Sequence, residues 1–195
     1  MPTLRERKRE RTRQAILDAA VALFERDGYE ATTVADIAAA ADIGTRTFFG
    51  YFASKEDLLF PGGDERVAAA VTAITERGPA DRPADVLIRA LRTVDAAGHG
   101  FVDRQAAVRR QVMRSVPAVH AAALMRQLEA QREIAGHLAA AYPDELDDVT
   151  ASALVGAFIG AVTGAADALA RHPDREDGRA AFLDATDRAL RPWMR

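Results

Sequence analysis

The chain has 195 residues, 49% of them apolar but only 6% aromatic, with no cysteine and a formal net charge of −3. That length allows one large domain or two small ones with a real core. The missing cysteine excludes a disulfide framework, a thiolate metal site and a cysteine nucleophile. Met1 to Arg13 is charged and leads into no apolar run, so no secretory leader is legible and a cytoplasmic place is expected. Alanine, the best helix former, supplies much of the apolar content, and alternating β-branched runs are missing, so the fold class is read as all-α.

In chain order, the basic residues Arg5, Arg7, Lys8, Arg9, Arg11 and Arg13 come first, against Glu6 and Glu10. They read either as a solvated, disordered arm or as an arm drawn to phosphates. A first helix is expected over 10–27, with Ile16, Leu17, Ala20, Leu23 and Phe24 on one stripe and Gly28 as its C-terminal cap. A short second helix starts at Thr33, where Thr33-Val34-Ala35-Asp36 has the form of a capping box, and buries Val34, Ile37, Ala38 and Ala41. Asp42-Ile43-Gly44 is a tight turn, with Asp42 suited to the left-handed conformation and Gly44 to a cap. A third helix over 45–51 buries Phe48 and Phe52, and a fourth opens at Ser54 with Leu58, Leu59 and Phe60 inward. Pro61-Gly62-Gly63 marks a domain boundary, giving units of 1–60 and 61–195, and Asp64 is expected to cap the next helix.

Two short helices joined by a tight turn and backed by a longer one describe a helix-turn-helix, the second helix of the pair being the one that enters the DNA major groove. Burial of Phe48 and Phe52 leaves Thr45, Arg46 and Gly50 outside. Residues 13–59 hold Ile16-Leu17-Asp18-Ala19-Ala20, Leu23-Phe24, Gly28-Tyr29, Thr32-Thr33-Val34, Ile37-Ala38, Ala41, Thr47-Phe48, Tyr51-Phe52 and Lys55-Glu56 with Leu58-Leu59. At these spaced positions the segment resembles the DNA-binding domain of the TetR family. The resemblance implies an N-terminal three-helix helix-turn-helix domain followed by a C-terminal helical ligand-binding and dimerisation domain. It also implies a repressor of transcription, released from a near-palindromic double-stranded DNA operator by a small-molecule effector, with no cofactor and no metal.

By the same resemblance Thr33, Thr47, Tyr51 and Lys55 are expected at phosphates, and Thr45, Arg46 and Gly50 at bases. The alternatives are that Thr33 is a helix cap, Lys55 a solvated lysine and Tyr51 partly core. Phe49 occupies a DNA-facing position where the family commonly has tyrosine, and so lacks the phosphate bond a hydroxyl would make. Gly50 cannot bond a base. The first sixty residues hold nine Lys/Arg against ten Asp/Glu, so DNA binding depends on where the charges sit.

The second half reads as long helices over 84–97, 101–115, 118–142, 146–171 and 178–194, punctuated by Gly98-His99-Gly100, Pro117, Pro143 and Pro173. Val149 to Ala166 is an uncharged run near the lower limit of a membrane span. Its Ala/Gly/Thr character, with Asp147, Asp148 and Asp167 around it, points instead to a buried helix, and no membrane partner is expected. Gly156, Gly160 and Gly164 share one face and permit close helix approach. With Leu154, Val155, Phe158, Ile159 and Val162, and with Leu190 and Trp193 of the last helix, they are expected to form the interface of a homodimer. An intramolecular core helix is the alternative.

The pocket candidates are His99, Phe101, Arg110, Met113, His120, Leu124, Met125 and Leu128, with Val108, Val112, His137 and Arg114 nearby. Leu58-Leu59-Phe60-Pro61, the arginine-rich helix and Ser115-Val116-Pro117 resemble a subgroup of actinobacterial-type regulators that includes mycofactocin-associated ones, some of which respond to acyl-CoA. His99, Asp95 and Asp103 cluster in sequence, but no nucleophile–base pattern or phosphate loop accompanies them, so an enzyme is not expected. A purely architectural DNA-binding role, without a ligand, is the other alternative.

Overall fold

A computed structural model describes residues 3–96, 104–172 and 175–191. Among these it is helical with no strand. The helices are α1 (Leu4–Asp27), α2 (Val34–Ala40), α3 (Thr45–Phe48), α4 (Gly63–Thr75), α5 (Pro83–Ala96), α6 (Arg104–Ser115), α7 (Pro117–Ala141), α8 (Asp148–Ala170) and α9 (Gly178–Leu190), with a 3-10 turn at Glu56–Leu59 before α4. The expected Gly98-His99-Gly100 break, His99, Phe101, Pro173 and Trp193 lie outside the described residues.

The chain forms two compact units. The first holds the described residues up to Pro61 together with Val108–Val119; the second holds those of Gly62–Ala107 and from His120 onward. In the first, Ile16, Leu17, Ala20, Leu23 and Phe24 of α1 meet Ile37 and Ala38 of α2, then Phe48, Phe52, Leu58 and Leu59. Val108 and Val112 of α6 and Val119 of α7 complete this same core, with Met113 and Val116 packed against it. The sequence reading places Val108, Val112 and Met113 near a pocket. An i, i+4 spacing identifies a helix face but not what covers it.

Local chemistry explains where the elements begin. α1 starts at Leu4 and not near residue 10, because Thr3 and Glu6 form a capping box: Thr3 N donates to Glu6 Oε2 at 2.6 Å and Glu6 N to Thr3 Oγ1 at 3.2 Å. The basic residues therefore ride on a helix and are not a disordered arm. Gly28 ends α1 with φ 87°, which only glycine adopts freely, and its N–H donates to Phe24 O. Asp42 stands at φ 53° after α2, with Ile43 N bonded to Ala38 O and Asp42 N to Ala39 O, a Schellman closure that usually uses glycine.

α3 is shorter than expected. After Phe48 the bonds tighten to Gly50 N to Thr47 O and Tyr51 N to Phe48 O, and a Cβ on Gly50 would lie 3.1 Å from Thr47 O. The expected fourth helix is only the 3-10 turn, and its N-cap is Lys55, without a side-chain cap bond; Ser54 stands one residue ahead, where its Oγ accepts from Asp57 N while the Asp57 carboxylate accepts from Ala53 N and Ser54 N. α4 begins at Gly63, behind Gly62 at φ 73°, so Asp64 sits in the first turn and is not the cap.

In the second unit α4, α5, α7, α8 and α9 share one core. α5 buries a stripe through Val86, Leu87, Ile88, Ala90, Leu91 and Val94, and α9 contributes the fully enclosed Phe182 and Leu190. Tyr142 and Arg89 fasten the turn between α4 and α5. Tyr142 Oη donates to Asp81 O at 3.0 Å; Arg89 reaches the Asp81 carboxylate at 2.6 Å and Ala73 O at 2.9 Å. The Gly78 N–H and then Arg89 hold the Asp81 carboxyl below its usual range. α8 is long and apolar enough to cross a membrane by composition, but one face of it is core.

That core claims residues expected at a partner. Leu154, Val155, Phe158, Val162 and Leu190 are buried within their own chain, and Ile159 is half-buried against the same cluster. A side chain already enclosed has no area left to bury against a second molecule, so Leu154, Val155, Phe158, Val162 and Leu190 are corrected to core, while Ile159 keeps part of its surface. The outer face of α8 carries Val149, 77% exposed, with Gly160 and Gly164; Gly156 is half-buried beside Gln131.

Candidate nucleic-acid interface

The reading surface is built by what α3 hides. Phe48 is fully buried, edge-on to Phe49 at 5.4 Å and stacked obliquely with Phe52 at 5.9 Å. Anchoring that one ring turns Thr45, Arg46, Thr47, Phe49 and Gly50 outward, all exposed, Phe49 by 56%. Arg46 offers five N–H donors in a planar fork, the geometry that matches guanine O6 and N7. Phe49 presents an apolar ring without a hydrogen-bonding group, suited to packing on sugar or a thymine methyl.

α1 adds positive charge at the end of this surface. Arg9 lies over the Tyr51 ring at 5.2 Å and Arg13 over Phe52 at 5.5 Å, one helical turn apart. Arg5, Arg7, Lys8, Arg9 and Arg11 are exposed on the same helix. Tyr51 is half-buried, as a residue that is both partly core and partly surface should be.

Thr33 and Lys55 are occupied within the unit. Thr33 caps α2: its N–H and hydroxyl both donate to the Asp36 carboxylate, at 2.9 and 2.6 Å, while its oxygen accepts from Asp36 N at 3.2 Å. These bonds, the Thr33 hydroxyl first, hold the Asp36 carboxyl below its usual range. Lys55 Nζ donates to Tyr29 O at 2.7 Å and Thr32 O at 2.9 Å and stands 4.2 Å from the Tyr29 ring centroid. The Tyr29 hydroxyl donates to Glu56 Oε1 at 2.9 Å, and burial, then that bond, pushes its pKa far up. Reading by residue type misses this knot, since two neighbouring charges gripping one distant tyrosine leave no local periodicity.

The pocket candidates do not converge in the described residues. Leu124, Met125 and Leu128 are 49%, 54% and 42% exposed along α7, and His120 and His137 are exposed on the same helix. Arg110 and Met113 belong to the first unit, while His99 and Phe101 lie outside the described residues. An open groove of about 500 Å³ lies elsewhere, along α5 and α9, lined by residues that include Ile88, Arg89, Arg92 and Asp187. Its arginines are paired, Arg89 with Asp81 and Arg92 with Asp187 at 3.1 Å.

Comparison with known proteins agrees with this geometry. Residues 16–60 match the model of bacterial regulatory proteins of the tetR family. The chain is 32% identical over 152 residues to the HTH-type transcriptional regulator TcmR of Streptomyces glaucescens, an alignment spanning 75% of this chain and 67% of that protein. It is 34% identical over 88 residues to the HTH-type transcriptional repressor LfrR of Mycolicibacterium smegmatis, spanning 45% and 46%. In fold it is similar to SmeT of Stenotrophomonas maltophilia in complex with triclosan, with a TM-score of 0.65 at 16% identity over 93% of this chain and 90% of that one. Thermus thermophilus FadR in complex with lauroyl-CoA gives a TM-score of 0.59 at 22% identity over 93% of both chains. The helix-turn-helix, its exposed reading residues and these matches together establish that the chain is a DNA-binding transcriptional regulator belonging to the TetR family.

Proposed function

We propose that the chain is a homodimeric repressor that holds a near-palindromic double-stranded operator and lets it go when a small-molecule effector binds. The observation that carries this reading is the exposed row Thr45-Arg46-Thr47 on a helix pinned by Phe48, beside a helical ridge of arginines. LfrR is a repressor, and SmeT and FadR are known in complexes with triclosan and lauroyl-CoA, which supports both the sign of regulation and a small-molecule trigger here. The likeness to mycofactocin-associated regulators gains nothing from these names, and no effector class is assigned from it. A DNA target also gives the chain a cytoplasmic place and no membrane partner.

In this reading Thr45, Arg46 and Gly50 face the bases, Thr47 and Tyr51 meet the phosphates with Phe49 beside them, and Arg5 to Arg13 supply further phosphate attraction. Genome-fragment binding tests it. The wild-type chain is expected to capture a discrete near-palindromic site, and Arg46→Ala to lose about 1–3 kcal/mol of discrimination while the fold stays intact. Capture without sequence preference, or an Arg46→Ala variant as selective as the wild type, would overturn the assignment.

The dimer is assigned to the outer face of α8. Gly160 and Gly164 are exposed, and a Cβ built on either meets nothing within 4 Å of its own chain. Glycine in mid-helix costs about 0.5–1 kcal/mol relative to alanine, so its use here needs another reason, and close approach of a second copy provides one. Gly160→Leu is expected to weaken the dimer at least about tenfold, roughly 1.4 kcal/mol, in sedimentation analysis with helicity retained. A fully dimeric Gly160→Leu chain would move the interface elsewhere.

A further inference from the structure

Phe49 is the exposed aromatic ring of the DNA-binding unit. Among the described residues every other aromatic ring is buried or half-buried. A single exposed apolar side chain is ordinary on a protein surface, so exposure alone assigns it nothing. What sets Phe49 apart is that it is held. The ring stands edge-on to the fully buried Phe48, 5.4 Å away and at 86°. Its backbone is fixed by the bonds from Phe49 N to Thr45 O at 3.2 Å and from Gly50 N to Thr47 O at 3.0 Å. Gly50, the residue beyond it, brings no side chain to cover the ring, and a Cβ there would lie 3.1 Å from Thr47 O. An apolar ring is thus presented in one orientation on the row that carries Arg46, with 56% of the residue left open.

The four bases differ in what they offer such a ring in the major groove. Guanine and adenine present N7 and a polar group at C6, cytosine an amino donor, and thymine an O4 acceptor together with its C5-methyl group. Phenylalanine has neither donor nor acceptor, so the methyl group is the partner that matches it. Contact with sugar would be the same at every base pair and would carry no sequence information. The rest of the row leaves thymine for Phe49 to read. Thr45 to Tyr51 contains no asparagine or glutamine to grip adenine and no carboxylate to accept from cytosine, while Arg46 matches guanine. Arg46 and Phe49 are three residues apart, neighbours on one helical turn with Cβ atoms about 5–6 Å from each other. Bases along a strand are spaced about 3.4 Å, so the two side chains meet base pairs no more than two steps apart.

We propose that Phe49 is a specificity-determining residue: its ring packs on the C5-methyl group of one operator thymine, within two base pairs of the guanine that Arg46 meets. The proposal rests on the operator-binding reading above and gives the half-site a chemical content, a guanine and a nearby thymine known by its methyl group.

The test uses the full chain and a duplex that the wild type selects from a random-sequence library. In one half-site each thymine is replaced in turn by deoxyuridine, which removes the methyl group and keeps the pairing. Binding is measured at one salt concentration for the wild type, Arg46→Ala and Phe49→Ala, each shown to be folded by circular dichroism. One thymine is expected at which the swap weakens the wild type about fourfold, the worth of one buried methyl group. At that position Phe49→Ala should bind the thymine and uracil duplexes equally, and the thymine duplex no better than the wild type binds the uracil one. The guanine whose replacement Arg46→Ala no longer senses should lie within two base pairs of it.

If no swap to uracil weakens the wild type, the ring reads no methyl group and the proposal falls; this arm needs no variant. It falls equally if the sensitive thymine stays as sensitive in Phe49→Ala, because another side chain such as Thr45 then meets the methyl group. A sensitive thymine farther than two base pairs from the guanine overturns it as well. The DNA reading is judged separately: a wild type that selects a duplex, with Arg46→Ala losing discrimination, sustains it whatever Phe49 does. A wild type that selects none removes both.

Discussion

Val112→Asp is expected to abolish operator binding, although Val112 lies on α6, far outside the matched residues 16–60. Its side chain is buried in the same core as Ile16, Ile37 and Phe48. A carboxylate placed there is desolvated with no cation provided for it, at a cost on the order of 3–5 kcal/mol. That is a large fraction of the ~5–15 kcal/mol by which a domain is stable. Val112→Ala, which loses apolar burial only, should cost less than the ~1.5–3 kcal/mol of a fully buried valine and keep binding. Chemical denaturation and operator titration of the pair check this. An aspartate variant that still binds DNA with wild-type affinity would show that α6 is no part of the DNA-binding head, the first of the two units.

Phe48→Ala should be the most damaging single truncation on the recognition helix. The ring is fully enclosed and touches both Phe49 and Phe52, so its removal leaves a cavity at the helix's only anchor and costs about 3–5 kcal/mol. Two positions earlier, Arg46→Ala alters an exposed side chain and should leave stability within about 0.5 kcal/mol. The two variants therefore separate folding from reading within four residues. Loss of discrimination without loss of stability in Phe48→Ala would reverse these assignments.

Much of the head was legible because its signals are local. The α1 stripe from Ile16 to Phe24, the Gly28 cap, the Thr33–Asp36 box and the left-handed Asp42 each depend on a few consecutive residues, and the structure shows each in place. The contribution of Val108, Val112 and Val119 was not legible, since contact between segments far apart in the chain imposes no period on either. α8 failed differently. It is rich in alanine and glycine and apolar almost all round, so periodicity could not tell its core face from its outer face. Leu154, Val155, Phe158 and Val162 could then be assigned to a partner when their own chain encloses them. The fourth element was legible to within a residue at its start and not by its length, because Ser54 and Asp57 pair ahead of it and nothing nearby signals so early a stop.

The two-part head also bears on the order in which the protein is made. Synthesis delivers Met1 to Pro61 first, but the core of that unit takes Val108, Val112 and Val119, which leave the ribosome only after all of α4 and α5. A nascent head therefore waits with part of its apolar surface uncovered, the condition in which chains are most exposed to misassembly. The arrival of α6 and the start of α7 completes the unit. A DNA-binding fragment made by stopping translation after residue 60 would carry every base-facing residue and still lack the valines that close its core.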